Sequence, residues 1–161
     1  MTDHTPVVKK SSRPSWDEYY MQIARVVATR STCKRKAVGV VMVSGRMIIS
    51  TGYNGSMSGA AHCEDVGCIV KDGHCIATTH AEINALVAAA RHGISTNYTV
   101  IYTTVQPCLS CYKALVGAGI KRIVYDEAYG NIDYGVFGLN ANLTPSVKHL
   151  SEHSDSTLLS D

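Results

Sequence analysis

The sequence holds one phenylalanine, one tryptophan and four prolines in 161 residues, and it has no long apolar run. A membrane-spanning helix needs roughly 20 consecutive apolar residues, and nothing here approaches that. Lys and Arg number 15 against 13 acidic residues, a net charge of +2, which leaves no basic excess of the kind that tracks a nucleic-acid backbone. With so few other aromatics, stacking on single-stranded bases would fall to the nine tyrosines. Met1-Thr2-Asp3-His4-Thr5-Pro6 contains no apolar signal region, so a cytoplasmic protein is expected. No repeat is evident, and the length suits one domain with a proper core.

What the chain does have is cysteine and histidine. In a secreted protein six cysteines would suggest three disulfides. Here the missing leader, a Cys-x-x-Cys and five histidines between residues 62 and 149 favour metal ligation in a reducing compartment.

Residues 1–14 are polar and basic and are expected to form a flexible arm, with a domain over 15–150 and a flexible tail over 151–161. Ser15-Trp16-Asp17-Glu18 reads as a capping box. Tyr19, Tyr20, Ile23, Val26 and Val27 follow at helical spacing, predicting a helix to about Arg30. Lys34-Arg35-Lys36 is either a solvated turn or a phosphate contact. Val38 to Val43, the Ser44-Gly45-Arg46 turn and Met47 to Ile49 predict a hairpin.

From Gly52 to Thr79 regular patterning stops. A connection this long inside a domain is functional or disordered, and His62, Cys63, Cys68, His74 and Cys75 favour function. A helix is predicted from Thr79 to about Gly93 and a strand over Tyr98 to Val105. A helix follows from Pro107 to Gly117 or Gly119, then a strand from Arg122. Strand, short helix, strand implies a parallel pair. One irregular helical piece is expected within Asp126 to Asn142, and an edge strand or helix near Ser146 to Leu150.

The chemistry gathers at Thr79-His80-Ala81-Glu82 and Gln106-Pro107-Cys108-Leu109-Ser110-Cys111. A catalytic zinc takes three protein ligands and leaves one position open, and His80, Cys108 and Cys111 supply three. Cys108 and Cys111 are three apart at a predicted helix start, where thiols are more acidic. Glu82 has an ordinary reading, since Thr79-x-x-Glu82 satisfies a capping box. Beside three ligands the stronger reading is a carboxylate that takes a proton from an activated water. It then passes protons to a ring nitrogen and a departing amine.

His-x-Glu followed by Pro-Cys-x-x-Cys is recognised as the signature of the zinc-dependent nucleobase deaminases. With Arg30-Ser31-Thr32-Cys33, Gly52-Tyr53-Asn54-Gly55 and Asp72-Gly73-His74-Cys75, the chain resembles the deoxycytidylate (dCMP) deaminases over Ser15 to Leu150. The resemblance implies the three-layer α/β fold of the cytidine deaminase-like superfamily, a mixed sheet of about five strands flanked by helices. It implies hydrolysis of dCMP to dUMP and ammonia by a homohexamer. It also implies dCTP as activator and dTTP as inhibitor, bound with Mg²⁺. By the family pattern Asn54 contacts the deoxyribose or base; its ordinary reading is a turn residue. Arg30, Arg35 and Lys36 are candidates for phosphate, Tyr125 and Tyr129 for the pocket, and Gly52 and Gly55 for close backbone approach to nucleotide.

The family also implies a second, structural zinc. Of Cys33, Cys63, Cys68, His74 and Cys75, the expected set is Cys33, Cys63, His74 and Cys75, with Cys68 in reserve; the alternative is free buried thiols. Rival functions are a nucleoside or free-base deaminase, a tRNA or single-stranded DNA deaminase, and a zinc-stabilised binding module.

Overall fold

Every residue from Val40 to Val43 is buried, because the strand that carries them has helices on both faces. A computed structural model describes residues 13–138 and 144–152. Most of the arm expected over 1–14 and of the tail expected over 151–161 therefore lies outside the described residues. In chain order the elements are α1 (Trp16–Ala28), β1 (Gly39–Ser44), β2 (Met47–Tyr53), β3 (Gly55–Ser56), α2 (Cys63–Val66), β4 (Val70–Lys71), β5 (His74–Cys75) and β6 (Thr78–Thr79). There follow α3 (Ala81–Arg91), β7 (Val100–Val105), α4 (Leu109–Gly117), β8 (Arg122–Glu127) and β9 (Ser146–His149). Short 3-10 turns lie at Tyr134–Phe137 and Leu150–Glu152, the latter running from the last residue of the expected domain into the stretch expected as tail.

The central sheet has the order β2-β1-β7-β8-β9. β1 is antiparallel to both neighbours, whereas β7, β8 and β9 run parallel. It is the mixed five-stranded sheet expected. Alternation divides the core: Val41, Val43, Val100 and Tyr102 pack with Tyr20, Met21 and Ala24 of α1. Val40, Met42 and Ile101 pack with Ala81 and Ala85 of α3 and with Tyr112 and Leu115 of α4. The result is three layers. No helix among the described residues is long and apolar enough to cross a membrane.

The first helix begins on the expected capping box: Glu18 N–H donates to Ser15 Oγ, and Ser15 N–H donates to Glu18 Oε2 at 2.8 Å. The capping box that is the ordinary reading of Thr79 and Glu82 does not form. Thr79 pairs with Gly55 across the small β3–β6 ladder, and α3 is capped by His80, which leaves Glu82 at the second helical position. Gly52 also departs from expectation. A Cβ there would overlap Ala81 O and Ala85 N, so its bare backbone admits α3 against β2 rather than a nucleotide.

One polar cluster lies wholly inside. Arg122 grips Asp17 through two bonds of 2.9 and 2.6 Å, and Tyr102 Oη donates to Asp17 Oδ1 at 2.7 Å. Asp17 and Arg122 are each 3 % exposed. The pair ties the start of α1 to the start of β8.

Candidate active site and metal centre

The site forms where β7 ends and the chain turns into α4, at the carboxyl edge of the parallel strands, where α/β sheets leave a crevice. Gln106 and Pro107 carry the chain over that edge, and Cys108 caps α4. Cys111 is one turn further in and buried. His80, capping α3, brings its Nδ1 to 3.5 Å from Cys108 Sγ and 3.3 Å from Cys111 Sγ. Two helix tips thus meet, with the ligands at the caps and first turn. Neither cap is made by a side chain, so these two side chains are left for one another.

The donor set can be tested against a metal. Tetrahedral zinc places a ligand sulfur and nitrogen about 3.5 Å apart, and two sulfurs about 3.8 Å apart. Three donor atoms within 4.8 Å of one another, at the separations just given, fit zinc with one position left over. The adjoining Cys111 thiol, and then His80, hold the Cys108 thiol down to about 3, and Cys108 chiefly raises His80. A thiol already held towards the thiolate suits metal ligation, which releases the ligand protons. Glu82 is 4 % exposed, and burial raises its carboxyl above the usual range.

A cavity of about 170 Å³ opens over these groups. Arg35, Lys36, Asn54 and Tyr129, four of the six expected substrate contacts, line it with His80, Glu82 and Cys108. The other two do not. Arg30 follows the end of α1 and is exposed, and Tyr125 packs edge-on against His149. Among the other lining residues, Gln106 and Thr78 were not expected there, and His74 was expected at the second metal instead. Gln106 Oε1 accepts from Tyr129 N–H at 3.1 Å, fixing the loop after β8. Its only sequence signal is its place two residues before Cys108.

Asn54 is a clamp rather than a turn residue. Its Oδ1 accepts from Ser31 Oγ at 2.7 Å and Val38 N–H at 2.8 Å, and its Nδ2 donates to Lys36 O at 2.6 Å. This one side chain bridges the loop bearing Arg35 and Lys36 from Ser31 to Val38. Lys36 reaches Glu127, and Arg35 Nη1 donates to Gly73 O at 2.7 Å.

The long insert is drawn together by sulfur. Cys33, Cys63, Cys68 and Cys75 converge within 4.8 Å, with Cys33 3.9 Å from Cys68 and Cys63 3.6 Å from Cys75. These spacings also fit tetrahedral zinc. The expected set is corrected at one place: Cys68 takes part and His74 does not. Neighbours on a strand point to opposite faces, so with Cys75 turned to the thiols, His74 faces Tyr129, whose hydroxyl is 3.4 Å from its Nδ1.

A family model described as the cytidine and deoxycytidylate deaminase zinc-binding region matches residues 14–127, most of the chain and every residue of both donor clusters. This chain belongs to the cytidine and deoxycytidylate deaminase family. Among curated relatives, ComE operon protein 2 of Bacillus subtilis is 43% identical over 76% of this chain and 65% of its own length. A deoxycytidylate deaminase of Schizosaccharomyces pombe is 40% identical over 75% of this chain and 39% of its own. The chain therefore spans less than two thirds of either of these two relatives. A solved dCMP deaminase of cyanophage S-TIM5, in complex with dCMP and dUMP, has 30% identity and a TM-score of 0.72. The match covers 86% of this chain and 99% of that one.

Proposed function

We propose that the protein hydrolyses dCMP to dUMP and ammonia in pyrimidine deoxynucleotide metabolism. The observation that carries the reading is the buried Glu82 carboxyl in one cavity with His80 and Cys108, and with the cationic Arg35 and Lys36 on its wall. The relatives that bear the name deoxycytidylate deaminase support the substrate. His80, Cys108 and Cys111 would hold a zinc ion, which would supply the Lewis acidity that makes water a nucleophile near neutral pH.

Glu82 does the proton work. Its carboxylate takes a proton from the attacking water and gives it to N3 of the cytosine ring, leaving C4 open to the oxygen. As the C4–N bond breaks and the oxygen on C4 becomes a carbonyl, Glu82 carries that oxygen's remaining proton to the departing amine, which leaves as ammonia. A carboxyl with a raised pKa suits a group that must hold a proton and then release it. Arg35 and Lys36 receive the phosphate, and the pyrimidine lies between Asn54 and Tyr129, towards Glu82.

The finer properties rest on the family resemblance. They are activation by dCTP and inhibition by dTTP with Mg²⁺, a homohexamer, and a second zinc at Cys33, Cys63, Cys68 and Cys75. A cytoplasmic setting keeps those thiols reduced.

Steady-state rates on dCMP, deoxycytidine, cytosine and dCTP test the function. Preference for dCMP is expected. Equal use of deoxycytidine would make this a nucleoside deaminase, and inactivity on all four would leave a polymeric substrate or a binding module. Adding dCTP or dTTP with Mg²⁺ to the same assay reads the regulation, and a sigmoidal dCMP curve is expected from coupled subunits.

A further inference from the structure

The wall of the cavity that carries Arg35 and His74 has almost no core beneath it. Between Met57 and Ala77 the only buried residue is Cys63, while Val66, Ile69, Val70 and Ile76 are each more than half exposed. Its ladders are two residues long, too short to hold a wall by themselves. The four thiols supply what apolar packing does not. Cys33 lies two residues before Arg35, and Cys75 is next to His74. Two bonds tie the same segments, Arg35 Nη1 to Gly73 O and Lys34 Nζ to Glu64 O at 2.8 Å. The deamination centre is anchored differently, since Ala81, Ala85, Cys111 and Leu115 of its two helices lie in the main core.

We propose that the four-thiol cluster is the positioning device for the phosphate end of the substrate. A metal held there fixes the Arg35–Gly73–His74 wall, and His74 joins Arg35 as a donor to phosphate. Preference for a nucleoside monophosphate over the nucleoside then depends on this second cluster, whereas proton transfer at Glu82 does not. The proposal rests on the nucleotide-deaminase reading above.

The test uses the full chain with its metals. Cys68→Ser should lower zinc from two per chain to one. The ratio of kcat/KM for dCMP to that for deoxycytidine should fall about 10- to 100-fold, the worth of one or two charge-assisted hydrogen bonds. His74→Ala should lose a similar part of the ratio while keeping both zincs, which covers the case in which Cys68→Ser does not fold. Calorimetry in a Glu82→Gln background, where turnover is absent, should show weakened dCMP binding and unchanged deoxycytidine binding. The proposal is overturned by a Cys68→Ser protein with one zinc and an intact ratio, by equal losses on both substrates, or by a His74→Ala protein with full dCMP preference. Failure of the wild type to use dCMP at all would instead sink the functional reading.

Discussion

At Glu82 a one-residue change of helix start decides a chemical role. Had α3 begun on Thr79, the carboxylate would reach back to a backbone N–H. With His80 as the cap it lies buried in the cavity beside the ligand atoms. Replacing Glu82 by Gln keeps the volume and removes the proton carrier. Zinc content should be unchanged, and kcat on dCMP should fall by several orders of magnitude. Near-normal turnover with full zinc would refute the assignment. Asn54 makes the opposite case, a residue whose side chain is engaged by its own protein. Asn54→Ala would leave Val38 N–H and Lys36 O without partners, at about 2–4 kcal/mol for the pair. Denaturant unfolding should show that loss, together with a raised KM as the Arg35 loop loosens.

Among the elements, α3 carries both His80 and Glu82, so its seat on β2 sets the geometry of the centre. That seat needs a bare backbone at Gly52. Gly52→Val would force the helix outward, costing about 1–3 kcal/mol and lowering kcat although the site's own residues are intact. Far from the cavity, the buried Asp17–Arg122 bridge joins α1 to the sheet. Asp17→Asn removes the carboxylate charge that faces the buried Arg122 guanidinium and should destabilise by about 3–5 kcal/mol. A thermal melt reads it, and the dCMP KM of the protein still folded at low temperature should be near that of the wild type.

For the whole molecule, two kinds of stabilisation are set side by side. The sheet and its helices are held by apolar burial, whereas the insert has little of it and brings four thiols together instead. Chelation should therefore remove activity without unfolding the sheet, because metal binding stabilises only the part that needs it. Exhaustive chelator treatment is expected to abolish turnover while far-UV circular dichroism keeps most of its signal. A global collapse would show that bound metal underlies the whole fold. Much of this arrangement was legible beforehand. The β-branched run at Val38 to Val43, the Pro107 helix start and the capping box at Ser15 are local signals, and each reports physics acting within a few residues. The insert was legible only as an absence of pattern, since its order comes from atoms up to 42 residues apart.

The sequence by itself determined the trio His80, Cys108 and Cys111, the α/β layering and the likeness to dCMP deaminases, because ligand spacing and hydrophobic periodicity are written along the chain. Tertiary structure alone decided that Cys68 replaces His74 among the thiols, since strand alternation turns adjacent side chains apart. It also decided that Arg30 and Tyr125 stand away from the cavity while Gln106 and His74 line it. Those outcomes depend on which segments come together across the sheet edge, and no residue's neighbours in sequence record that.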